Sequence, residues 1–166
     1  MSDWFFMLGE PLAPGEAAKV TGYLRGLGLD ALPLETLADW SAVGAVIKSA
    51  SWDQSWWEAE QREAKRLHER ATQARGEGEV ARRLSAVLVS SMVSLHGAAA
   101  VHATRAGYGD AGLIRAAAGA AGQALHFAEL AELGGESAVH PFLLKRALFA
   151  GGHWPLGIVN GSYYLF

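Results

Sequence analysis

Hydrophobic and polar positions change rhythm several times along this chain, and each change marks an element. The aromatic run at 4–8, closed by Gly9 and Pro11, has the density of a strand. After Pro14-Gly15-Glu16, the apolar positions Ala17, Val20, Leu24 and Leu27 recur at helical spacing until Gly28 stops them. The stretch 29–34, interrupted by Pro33, reads as a short edge strand or a loop. Asp39 suits the cap of a short helix carrying Ala42, Val43, Val46 and Ile47. Ser51 with Gln54 forms a capping box for a longer helix over 52–73.

The second half is more regular. Arg75-Gly76-Glu77-Gly78 breaks the preceding helix, and the pattern predicts the next over 79–105. Gly107-Tyr108-Gly109-Asp110 is a turn whose Asp caps a further helix over 111–133, ended by Gly134-Gly135. Joined by so short a turn, these two long helices should form an antiparallel hairpin, and their wealth of Ala, Gly and Ser lets the backbones approach closely. Pro141 suits the first turn of a last helix over 142–150. Asn160-Gly161, set between two β-prone runs, is the signature of a tight hairpin turn, because both central residues of a type I′ turn need positive φ. A lone hairpin is marginal in water, and the run at 4–8 is the natural third strand. The expected architecture is a single mainly α domain over 1–166. It is a helical bundle with a long antiparallel helix hairpin, plus a small antiparallel β-sheet formed by the N-terminal strand and the C-terminal hairpin.

Composition narrows the chemistry. With 166 residues the chain can bury a core without a staple, and the absence of cysteine removes disulfides, thiolate metal sites and cysteine nucleophiles. A net charge of −3 offers no basic field for nucleic acid. The charges are unevenly placed: 58–83 is a dense mixture of acids and bases, whereas 84–128 carries only Arg105, Asp110 and Arg115. The 21 residues 84–104 hold no formal charge, and a spanning helix needs about 20. Ser85, Ser90, Ser91, Ser94, His96, His102 and Thr104 lie within them, which suits a helix buried all round in a bundle better than one in lipid. The first residues carry no basic segment ahead of a long apolar run, so the expected location is the cytoplasm and membrane association is not expected.

Specific catalytic patterns are missing from the sequence. None of the six histidines has Glu three residues before it, as a di-iron bundle requires, and neither a His-Glu-x-x-His helix, a Gly-x-Ser-x-Gly elbow nor a phosphate-cradling glycine loop occurs. His96 and His102, six residues apart, point about 120° from each other on one helix. His96 and His126 could meet across the helix hairpin, with Glu129 as a third ligand, only if their levels, about 8 Å apart, were bridged by side-chain reach. No metal and no cofactor is expected. Arg62 with His68 and Arg146 with His153 match the Arg-to-His spacing of helical HEPN-type ribonucleases, in which the pair acts on the scissile phosphate and the 2′-hydroxyl. With ten arginines and six histidines in the chain, that spacing arises readily by chance.

Two constellations remain. Arg115, Gly119, Gly122, His126 and Glu129 follow at spacings of 4, 3, 4 and 3 and form one stripe of the 111–133 helix. The glycines leave either a groove for a small ligand or partner helix, or a close helix crossing inside the domain. Trp52, Trp56 and Trp57 cluster within six residues, as part of the core or as an exposed aromatic anchor for a partner. The expected function is a protein-interaction or self-associating module, with a protein partner or a homo-oligomer. The alternative is a small-molecule binder or enzyme working through the Arg115, His126 and Glu129 stripe.

Overall fold

A computed structural model of the chain describes residues 5, 8–49 and 51–166. The order of elements is α1 (Pro14–Gly26), β1 (Leu34–Thr36), α2 (Trp40–Ile47), β2 (Trp52–Asp53), α3 (Ser55–Arg75), α4 (Glu77–Arg105), α5 (Ala111–Leu133), α6 (Pro141–Ala150), β3 (Pro155–Val159) and β4 (Ser162–Leu165). The protein is mainly α with a small sheet.

Local chemistry sets most helix starts. Asp39 Oδ1 accepts the backbone N–H of Ala42 at 2.8 Å, and Asp110 Oδ1 accepts those of Gly112 and Leu113, so each satisfies donors that the first turn would otherwise leave orphaned. Pro14 and Pro141 occupy first turns, where a missing N–H costs nothing. The start of α3 differs from the expected capping box at Ser51 and Gln54. Trp52 and Asp53 are drawn into the sheet as β2, pairing with Val159 and Ile158, and the helix starts only at Ser55. Asp53 Oδ1 takes the Ser55 N–H at 2.8 Å instead.

The sheet is mixed, with order β1-β4-β3-β2. Its centre is the expected hairpin, turned by Asn160 at φ 50° and Gly161 at φ 78°. Its flanks are not the expected ones. Of the run at 4–8, Phe5 and Leu8 lie in turns with their side chains buried, and the other three positions lie outside the described residues. β1 pairs parallel to β4, Leu34 opposite Tyr163 and Thr36 opposite Leu165, and β2 pairs antiparallel to β3. Segment 33–37 meets the hairpin's free edge at β4. The Tyr163 N–H donates to Pro33 O at 2.8 Å and the Leu37 N–H to Leu165 O at 2.7 Å, while Pro33, having no N–H, sits just outside the strand.

Helix α5 is the core helix, packed against α3, α4 and α6. Ala117, Ala118, Ala121 and Ala124 form its inner wall, and Gly122 lies against Met92 of α4 so closely that a Cβ would stand 2.5 Å from the Met92 sulfur. Elsewhere aromatic rings fill the space. Trp40 stacks on Tyr108 and meets Phe166 edge-on, and Phe127 stacks on Phe142 at 4.5 Å.

Helix α4 corrects one expectation outright. It is not buried all round: only Val80, Leu84, Ser91, Leu95, Ala99 and Ala103 are buried, and just 22% of its most apolar 18-residue stretch is covered. By length and composition alone it could cross a membrane.

Candidate functional site

The glycine stripe of α5 does not converge on one point. Arg115 and Glu129 are separated by about 21 Å along the axis, at 1.5 Å per residue. Arg115 and Gly119 are exposed, with nothing within 4 Å of where a Gly119 Cβ would stand, whereas Gly122 is covered by Met92. Glu129 is buried and accepts from Arg83 Nε of α4 at 2.7 Å, so its charge ties the two helices together. His126 is half-buried beside Phe127, and its Nδ1 has no hydrogen-bond partner. Burial, together with the neighbouring His68 of α3, holds the His126 imidazole below its ordinary pKa. His96 is exposed on α4, and the imidazole that acts electrostatically on His126 is thus His68.

The tryptophans do come together. Trp52, Asp53, Gln54, Trp56 and Trp57 line a surface cavity of about 340 Å³ between β2 and the first turn of α3. Two of the rings are held from behind. Trp52 Nε1 donates to Ile47 O at 3.2 Å, and Trp56 lies against Gly157, where a Cβ would be 2.7 Å from the indole. Gly157 has φ +138°, at a bulge in β3 where the register with β4 shifts, so glycine is needed both for the backbone and for the ring. Trp57 is 48% exposed. The sequence motif thus yields neither a wholly buried cluster nor a bare protruding anchor, but the wall of a cavity.

Behind Trp56 lies a polar group that the sequence did not announce. Glu60 and Lys145 are buried, 0% and 2% exposed, and Lys145 Nζ donates to Glu60 Oε1 at 2.6 Å. Tyr23 OH donates to the same oxygen at 2.7 Å, and Lys145 Nζ stands 5.5 Å from the centre of the Trp56 ring. Burial, first, and the adjacent Tyr163 and Glu60 keep the Tyr23 phenol well above its ordinary pKa. Removing one partner of such a pair costs about 3–5 kcal/mol, because the other charge is left uncompensated away from water. Glu60 belongs by sequence to the dense mixture of charges at 58–83, yet its side chain is buried. The available signal was its phase: Glu60, Ala64, Leu67 and Ala71 share one buried stripe of α3. Its partner, 85 residues away, left no local trace.

The outer face of α4 leaves apolar side chains uncovered. Val89 and Val93 are 81% and 85% exposed, and Val101 is half-exposed. At 100° per residue, Ala86, Val93, Gly97 and Thr104 fall within about 40° of one another. No formal charge interrupts them. The hydroxyls of Ser90 and Ser94 turn back to donate to Val87 O and Ser91 O, and the space around Gly97 is open.

The Arg and His pairs with ribonuclease-like spacing are placed differently from each other. Arg62 is exposed beside Glu58 at 4.0 Å and His68 is exposed on the same helix. Arg146 is bonded to Glu132 at 2.6 Å, and His153 is buried with an unpartnered Nδ1. Among the described residues no three His, Asp or Glu side chains come together as a metal centre. No family model, no curated protein and no solved structure matches this chain.

Proposed function

We propose that this protein is an interaction module that self-associates through the outer face of α4. The observation that carries this reading is the exposure of Val89 and Val93 in the middle of a charge-free helix face. Contiguous apolar surface on a soluble fold marks a place where something else docks. The Ser90 and Ser94 hydroxyls add little to the desolvation cost of covering this face, since both are already bonded within the helix. Its relief also suits a copy of itself. Val93 projects one turn before Gly97, so two antiparallel α4 helices about a two-fold axis would each seat Val93 at the other's Gly97, the reciprocal contact that defines an isologous dimer. The length and apolarity of α4 also support a competing reading, in which the same face meets lipid. The outward Ser85, His96 and Thr104 favour a protein partner over it.

Sedimentation equilibrium of the native chain and of a Val89→Asp/Val93→Asp variant, run beside liposome flotation of both, tests the reading. A concentration-dependent dimer that the double variant abolishes is the expected result. Because both positions are exposed, the dilute monomer should change its unfolding free energy by no more than about 0.5 kcal/mol per site. A native chain that stays monomeric at high concentration would sink the proposal. Flotation with lipid that the double variant loses would assign the face to a membrane.

A further inference from the structure

The tryptophan cavity lies on a different part of the molecule from the α4 face and stands independently of it. Its five lining residues among those described come from one stretch, Trp52-Asp53-Gln54-Ser55-Trp56-Trp57, folded so that three tryptophans and one aspartate line the same space. About 340 Å³ is at the small end of ligand sites, which run from about 300 to 1,000 Å³. No Lys or Arg lines it. Lys145, 5.5 Å from the Trp56 ring in the fold behind the cavity, already has Glu60 as its counter-charge at 2.6 Å, and Arg62, further along α3, stands by Glu58. Among the described residues Asp53 therefore supplies the only formal charge of the lining. Its carboxylate is anchored at Oδ1 by the Ser55 N–H, and the residue is exposed.

Indole faces carry negative electrostatic potential and attract a cation of low hydration, above all a quaternary ammonium, which water solvates poorly and which has no N–H to satisfy. A carboxylate at the rim adds attraction of the same sign. Both features are built in advance: Trp52 is held by Ile47 O, Trp56 by Gly157, and Asp53 by Ser55 and by pairing with Ile158. Such preorganisation lowers the ordering cost of binding. We infer that the Trp52, Trp56 and Trp57 cavity, with Asp53 at its rim, is a binding site for a small organic cation of the quaternary or methylated ammonium class.

The probe is choline, set against its uncharged carbon isostere 3,3-dimethyl-1-butanol and against glucose, with the indole N–H resonances of the full chain as the readout. Choline should shift the resonances of Trp52, Trp56 and Trp57 saturably, and the isostere should bind at least about tenfold more weakly, because it keeps the shape and loses the charge. Asp53→Asn retains an acceptor for the Ser55 N–H and should weaken choline by a similar factor while leaving the melting temperature unchanged. Trp57→Ala should weaken choline further without altering the isostere's rank. Equal binding of the isostere, an unaltered affinity in Asp53→Asn, shifts with glucose but not choline, or no shifts at any choline concentration would each overturn the assignment.

Discussion

Helices α4 and α5 are consecutive and antiparallel and each carries a long charge-free run, yet they end in opposite environments. Of its 23 residues α5 buries 13, whereas α4 buries 6 of 29. Freedom from charge does not account for this. The charge-free run of α4 is the longer, although α4 mixes Ala with Val and Ser where α5 is dominated by Ala. What differs is where the neighbours lie: α5 is enclosed by α3, α4 and α6, while α4 packs mainly on α5 and α3 and meets α2 near its end, where His102 accepts from Trp40. A small-residue helix surface permits close packing without requiring it, and the placement of the neighbours decides which face is spent inside.

The sharpest way to break the comparison is to place the same charge on both helices. Ala121→Asp, at a fully buried position of α5, puts an unpaired carboxylate into the core and should cost at least about 3 kcal/mol or prevent folding. Val93→Asp on α4 should stay within about 0.5 kcal/mol in the monomer. Equilibrium denaturation of the two variants measures both, and similar losses would mean that α4 is as enclosed as α5.

A second comparison uses the glycines. Gly122→Leu drives a side chain into Met92 and should cost about 1–3 kcal/mol through overpacking. Gly97→Leu meets open space and should raise monomer stability by up to about 1 kcal/mol, since glycine is a poor helix former. The same substitution fills the notch proposed for Val93, so thermal stability and self-association should move in opposite directions. Parallel movement of the two would argue against the antiparallel seating.

The smallest expected effect is on pH. Burial lowers the pKa of His102 on α4 and of His126 on α5 from the ordinary 6.5, and His102 Nδ1 must stay unprotonated to accept the Trp40 Nε1–H at 3.0 Å. The folded protein therefore binds fewer protons than the unfolded chain in this range. Stability is full above the unfolded value of about 6.5 and declines as pH falls below it toward the folded values. Denaturation midpoints measured from pH 7.5 downwards should drop below pH 6.5. His102→Gln, which keeps an acceptor for Trp40, should flatten the slope. Because His102 points inward from α4, an unchanged slope in this variant would assign the pH dependence to α5 and to the buried His153, whose pKa burial also lowers.

Local devices were legible along the chain. Asp39 and Asp110 cap helices, Asn160-Gly161 turns the hairpin, and the glycines at 134–135 and 151–152 follow the ends of α5 and α6, because each of these acts within a few residues of itself. The strands beside the hairpin were not legible in that way. β1 and β2 have three and two residues, too short for any periodicity, and they exist because the hairpin's backbone groups need partners. The same limit applies to the candidate sites. The spacing of Trp52, Trp56 and Trp57 marked a cluster, but the β2 pairing that bends it into a cavity is tertiary.

What the sequence determined by itself, then, is the mainly α class, the helix hairpin and the turn chemistry, all consequences of interactions between residues close in the chain. Tertiary structure alone decided that Glu60 would meet Lys145 rather than water, that Gly122 would face a neighbour while Gly97 faces none, and that the outer side of α4 would remain bare. The reason is physical: burial belongs to the space between elements, and a helix pattern states which residues could be covered without naming what will cover them.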